Sequence, residues 1–298
     1  MNERHDDLHD RGLAFDLARL RQFDRLRQPD RLRHVERLRH LDRRAALGML
    51  GGAVLIGAVG CADDGGSSGG SGGASGSRTS GATTATTSTA AGGGEIPDET
   101  AGPFPGDGTN GPNALTESGI VRRDIRSSFG SSASRTVAQG VPLTIELTVT
   151  DNGAASKGAA VYVWHCDRDG NYSMYSEAVT KENYLRGVQA ADANGVVRFV
   201  SIFPAAYSGR WPHVHFEVFS SLAEATRGSK SVKTSQLAFP EDTCKTVYAS
   251  SGYSESVSTM ARTSLEDDMV FGDGHETQMA TMTGNVAGGL NAKLAVRL

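Results

Sequence analysis

Leu143-Thr-Ile-Glu-Leu-Thr-Val149 alternates apolar and polar residues without a break. Successive strand side chains point to opposite faces, so Leu143, Ile145, Leu147 and Val149 share one side. The stretch reads as a half-buried antiparallel strand. Outward from it, short strand patterns recur between turns: Ala160 to Cys166, Arg186 to Ala190, Val196 to Ile202, Pro212 to Phe219, Ser231 to Phe239, Gln278 to Val286 and Ala292 to Leu298. Ala193-Asn-Gly195 has the composition of a hairpin turn into Val196. Helical patches over 221–227 and 254–262 are short. The expectation is an all-β fold, an antiparallel β-sandwich with Greek-key-like connections of the immunoglobulin- or transthyretin-like kind.

Chemistry concentrates in Tyr207-Ser-Gly-Arg210-Trp-Pro-His213-Val-His215-Phe. Two histidines at i and i+2 on a strand face the same way, so both imidazoles can reach one metal ion. Tyr207 and Arg210 sit in the preceding turn, and a second tyrosine, Tyr172, follows the glycine turn Asp169-Gly-Asn. A His-x-His pair alone serves zinc, copper, manganese or iron. Phenolate is a hard anionic donor that favours a ferric ion. Two phenolates and a hydroxide bring a 3+ centre close to neutral, which makes burial tolerable. Ferrous oxygen-activating sites use two histidines and a carboxylate, and no carboxylate lies within the Tyr207–His215 block. The plain alternative is that these are core tyrosines and backbone-bonded histidines.

At these residues the chain resembles the intradiol ring-cleavage dioxygenases, most closely their exported single-domain branch. The matching blocks are Glu99-Thr-Ala-Gly-Pro103-Phe, Val163 to Ser173, Leu185 to Gly195, Phe203 to Phe216 and Thr234-Ser-Gln236-Leu, in the family's order. The resemblance implies a non-haem Fe(3+) held by Tyr172, Tyr207, His213 and His215. Tyr207 and His215 would be axial, and Tyr172 and His213 equatorial with a hydroxide. It further implies catalytic roles for Tyr207, Arg210 beside the reacting ring, and Gln236 next to it. Catechol would bind as a chelating dianion, displacing Tyr207, and react with O2 to give a muconate-type diacid. Two other readings stay open: a non-catalytic β-sandwich binding module, and copper or zinc on His213 and His215. The entry motif Gly102-Pro-Phe104-Pro105 departs from the one or two tyrosines of many relatives. The helical dimerisation segment of the cytosolic branch has no counterpart, so the oligomeric state is open.

The first 61 residues differ from the rest. Asp24, Asp30, Glu36 and Asp42 recur every six residues among arginines, a period that fits neither a heptad nor an α-helix. This basic extension is consistent with a mis-assigned translation start. Arg43-Arg44 then precedes an apolar run from Met49 to Val59 and Cys61, the pattern of a twin-arginine export signal ending in a lipidation site at Cys61. Ala58 stands where leucine is usual, and a plain cleaved signal is the alternative. Residues 62–94, rich in Gly, Ser, Thr and Ala, are expected to form a flexible tether. Residues 95–298 then form the catalytic domain, held outside the cytoplasm, with the lipid as its membrane contact. The whole chain carries a formal charge of −4; residues 1–60 hold 12 Lys+Arg and 9 Asp+Glu, leaving 18 against 25 elsewhere. That acidic remainder argues against nucleic acid as a partner. With Cys61 lipidated, Cys166 and Cys244 are expected to form a disulfide in an oxidising compartment, the alternative being two buried thiols.

Overall fold

The computed structural model describes residues 94–298 other than Ala133 and Arg135. The expected export signal, Cys61 and the linker up to residue 93 lie outside the described residues. In chain order the elements are β1 (Pro142–Asp151), β2 (Ala154–Ala155), β3 (Ala160–Trp164), β4 (Arg186–Ala190), β5 (Val196–Ile202), β6 (His213–Phe219), α1 (Leu222–Arg227), β7 (Lys233–Ala238), α2 (Glu241–Tyr248), α3 (Ser254–Met260), β8 (Thr281–Asn285) and β9 (Gly289–Arg297). They form two sheets. The first runs β2-β1-β9-β8, with β5 also paired to β1; the second runs β4-β3-β6-β7. One pairing departs from the antiparallel expectation: β1 and β9 run parallel, from Leu143↔Leu290 to Thr150↔Arg297.

The alternation of β1 buries Leu143, Ile145, Leu147 and Val149. They join Val161, Val163, Val214, Phe216 and Val218 of the second sheet in one core cluster. Each such side chain contributes roughly 1.5–3 kcal/mol on burial, before the entropy of ordering it is subtracted. β3 and β6 do not alternate, because every residue in them is buried. One face of each meets the first sheet. On the other, Ala160, Tyr162, Trp164 and Phe219 join a second cluster with Leu115, Ile120, Tyr172 and Val188. Strands covered on both faces read as continuous apolar runs. His213, His215 and Glu217 are therefore polar exceptions on a covered face. The N-terminal stretch does part of the covering: Glu99 N–H donates to the Thr234 carbonyl beside β7, and Arg122 N–H to the Val188 carbonyl beside β4.

Two expectations need correction. The Asp192–Gly195 turn is tight, with Asp192 Oδ1 accepting from the Asn194 and Val196 N–H groups. Yet it joins no hairpin, since β4 pairs with β3 and β5 with β1. The Gly195 carbonyl accepts from Val149 N–H, so the chain crosses between sheets there. Gly195 has φ +77°, and a Cβ would lie 2.3 Å from the Val149 carbonyl oxygen.

Cys166 and Cys244 are not bridged; both are buried free thiols. They belong to different apolar clusters and turn toward different carbonyls, Ala205 for Cys166 and Phe239 for Cys244. Burial raises both thiol pKa values, which makes them inert packing residues. Alkylation in denaturant without reductant should add two labels to Cys166 and Cys244 by mass. Labelling at neither position would restore the bridge.

Candidate active site

A cross-strand row organises the site. Arg186 pairs with Trp164, Trp164 with His215, and His215 with Gln236 across β4, β3, β6 and β7. The Trp164 indole stacks on the His215 ring at 4.9 Å and 4°, and His215 Nδ1 has no hydrogen-bond partner, so contact area orients that edge of the imidazole. His213 is oriented differently: its Nδ1 lies 2.5 Å from the Trp211 carbonyl. A carbonyl only accepts, so Nδ1 carries the proton and Nε2 presents a bare lone pair inward.

The two tyrosines arrive on linked loops. Asp167 Oδ1 accepts from the Asp169 and Asn171 N–H groups, 2.9 Å each, tying the turn that delivers Tyr172. Asp167-Arg-Asp-Gly170 thus forms a tight turn. The Asp167 carbonyl accepts from Ala205 N–H, so the same residue steadies the approach to Tyr207.

The four side chains converge. Tyr172 Oη lies 3.2 Å from Tyr207 Oη and 3.4 Å from His213 Nε2; His213 Nε2 lies 3.1 Å from Tyr207 Oη and 3.0 Å from His215 Nε2. Donors each about 2 Å from one first-row ion are spaced in this way. Burial pushes Tyr207 up to about 12 and Tyr172 well above the ordinary phenol range. Burial also pushes His213 down to about 3 and His215 well below the imidazole range. Alone, the cluster therefore holds neutral phenols and neutral imidazoles; a bound cation would supply the charge that releases the phenol protons. Two hard oxygen donors and two imidazole nitrogens fit a ferric ion. Among the described residues no group of three or more His, Cys, Asp or Glu gathers that could hold a metal.

Arg210 and Gln236 are also brought to the cluster. Arg210 donates from Nη2 to Gln236 Oε1 at 2.6 Å, and Gln236 Nε2 donates to the Thr100 carbonyl at 3.0 Å. Sequence reasoning misses Asp268. Its buried carboxylate accepts from Arg210 Nε at 3.0 Å, from Trp211 N–H at 2.5 Å and from Val270 N–H at 2.8 Å. Burial opposes the Arg210 charge, but Asp268 outweighs it and holds the guanidinium pKa up. No local motif marks Asp268, which lies far along the chain in an acidic turn. His165 is a core residue whose Nε2 contacts Ser201 Oγ at 2.6 Å. Tyr162, Tyr175 and Tyr184 bond to Pro105, Gly106 and Asp167 as packing residues.

A family model described as "Dioxygenase" matches residues 131–259, the stretch that holds the four converging side chains, Arg210 and Gln236. A chlorocatechol 1,2-dioxygenase of Rhodococcus opacus is 39% identical over 56 residues, 19% of this chain and 22% of that protein. A chlorocatechol 1,2-dioxygenase of Pseudomonas sp. (strain P51) is 35% identical over 96 residues, 26% of this chain and 38% of that protein. Over residues 131–259 the chain is similar to the dioxygenases that this family model describes. Its matches span well under half the length of these two relatives. An intradiol ring-cleavage dioxygenase from Tetranychus urticae has a similar structure, with TM-score 0.49 and 24% identity, over 61% of this chain and 87% of that one.

Glu99 sits beside the Arg210–Asp268 pair. Burial, then Asp273, pushes its carboxyl up from 4.5 to about 8. The folded state holds that proton more tightly, so its contribution to stability is full below about 4.5 and is lost as pH rises through about 8. Glu99→Gln should therefore melt near wild type at pH 5 and above it at pH 9. Equal differences at both values would mean the carboxyl is not desolvated.

Proposed function

We propose that the chain is an exported, Fe(III)-dependent intradiol dioxygenase that cleaves catechol-type diols between their hydroxyls. Both atoms of O2 enter the product, a muconate-type diacid. The observation that carries this reading is the convergence of Tyr172 Oη, Tyr207 Oη, His213 Nε2 and His215 Nε2 within 3.0–3.4 Å contacts. The relatives named as chlorocatechol 1,2-dioxygenases support the catechol class.

Tyr172, Tyr207, His213 and His215 would hold the ion. When bound, ferric iron would supply Lewis-acid activation of a catechol toward O2. Tyr207 is half-buried while Tyr172 is 2% exposed, so Tyr207 is the phenol with room to move and its Oη the atom to accept a catechol proton. Arg210 sets a fixed positive charge where negative charge grows on the attacked ring. Gln236, pinned between Arg210 and the Thr100 carbonyl, orients the substrate with little rotamer freedom to lose.

The iron-loaded chain should be wine-red from tyrosinate-to-iron charge transfer and should consume O2 one-to-one with catechol. A colourless iron-loaded protein would sink the ferric reading, and catechol binding without O2 uptake would leave a binding module. Stoichiometric zinc or copper as isolated would favour the other metals. The export part rests on Arg43-Arg44 and Cys61: Cys61→Ala should shift the protein from the membrane fraction to the soluble exported fraction. Unchanged fractionation would remove the lipid anchor.

A further inference from the structure

Arg186 is a buried cation whose bonds all go to neutral acceptors. It is 1% exposed. Nε donates to Ser173 Oγ at 3.0 Å; Nη1 to the Pro105 carbonyl at 2.7 Å and Tyr162 Oη at 3.2 Å; Nη2 to the Phe104 carbonyl at 3.0 Å and the Ser173 carbonyl at 2.9 Å. All five N–H bonds of the guanidinium are thereby used. A buried charge without a counter-charge is costly, so the arrangement asks for a reason beyond packing. The acceptors come from three stretches: the entry segment at Phe104–Pro105, the loop just after Tyr172, and β3. A planar fork sets distances between such stretches that a flexible ammonium does not.

Three further observations centre on the same place. Met174 (φ +71°) and Leu185 (φ +57°) hold left-handed backbone beside Ser173 and Arg186, a strained state for side-chain-bearing residues. Gly106 lies so close that a Cβ would stand 2.8 Å from Arg186 Nη1, and its N–H donates to Tyr175 Oη at 2.9 Å. Phe104, held by this clamp, packs on Tyr172 at 5.0 Å between ring centroids.

We infer that Arg186 is a positioning residue that locks the Phe104–Pro105 entry segment to the Tyr172 loop, so that the pocket wall and one metal-binding phenol move as one body. The role in turnover rests on the function proposed above; the mechanical coupling does not. Arg186→Lys keeps the charge but gathers its donors on one atom, and Arg186→Met keeps the bulk. In metal-free protein, both should raise hydrogen exchange about tenfold in 102–107 and in 172–176 together, with β1 and β9 unchanged. In iron-loaded protein, KM for catechol should rise about tenfold with kcat within about threefold, and the tyrosinate band should shift. Exchange that rises in one segment only, rises equally throughout, or does not change would overturn the coupling. An unchanged KM and band would overturn the positioning role. If wild type fails to bind iron, the exchange result still decides the coupling, and only the metal reading falls. Should both Arg186 variants misfold, Gly106→Ala pushes on the guanidinium from the other side and should give the same paired rise. Its absence there would also overturn the coupling.

Discussion

Replacing His213 with alanine should give a folded, colourless protein whose iron affinity and turnover fall by more than about a hundredfold. Losing a partner that merely orients a ligand costs about 10–100-fold, and under the proposed function His213 would contribute the donor itself. Its Nε2 contacts Tyr172, Tyr207 and His215, so its removal empties the centre of the cluster. The fold should survive, because β6 is held by backbone ladders to β3 and β7. His165→Asn is the control: a buried histidine bonded to Ser201 Oγ, whose loss should lower Tm while iron binding persists. Metal content, visible absorbance and circular dichroism measured together separate the outcomes. A red, iron-loaded His213→Ala protein would remove His213 from the ligand set.

Arg210→Ala should keep iron and bind catechol, yet lose roughly 10²–10³ in kcat, the usual cost of removing one preorganised electrostatic group. The complication is Asp268. Without Arg210 its fully buried carboxylate loses its counter-charge, and breaking a buried pair destabilises by about 3–5 kcal/mol. The double variant Arg210→Ala with Asp268→Asn resolves this. It should regain much of the lost Tm while turnover stays low. If turnover returned with stability, Arg210 would be structural and its proposed electrostatic role would be wrong.

The alternation in Leu143–Val149 and the i, i+2 spacing of His213 and His215 are local patterns, and both are legible in the amino-acid sequence alone. Turn chemistry is legible as well: Asp167 and Gly170 build the bend that delivers Tyr172. What a chain segment pairs with is not. The Asp192–Gly195 turn carries hairpin composition, but the next strand is taken up by β1 because its apolar face belongs to the other sheet. α2 escapes a reading of periodicity, although Pro240 precedes it, Glu241 and Asp242 open it and Lys245 follows; eight residues give too little repeat to stand out. Asp268 and Arg186 lie beyond reach for a different reason. Their roles come from long-range bonds, and an isolated Asp or Arg gives no sign of its partners. The disulfide expectation fails because parity of cysteines says nothing about which apolar cluster each thiol joins.

The parallel pairing of β1 with β9 has a consequence for how the chain acquires its structure. The first long strand finds one of its two main neighbours only when residues 290–297 are available. Pairing across such a sequence separation closes a large loop before any contact rewards it, which slows folding. On a ribosome, β1 would emerge with one edge unfilled and stay so through synthesis of most of the domain. A chain halted before Gly289 should therefore remain open at that edge, a template for aggregation. Supplying the last strand as a separate peptide should close it.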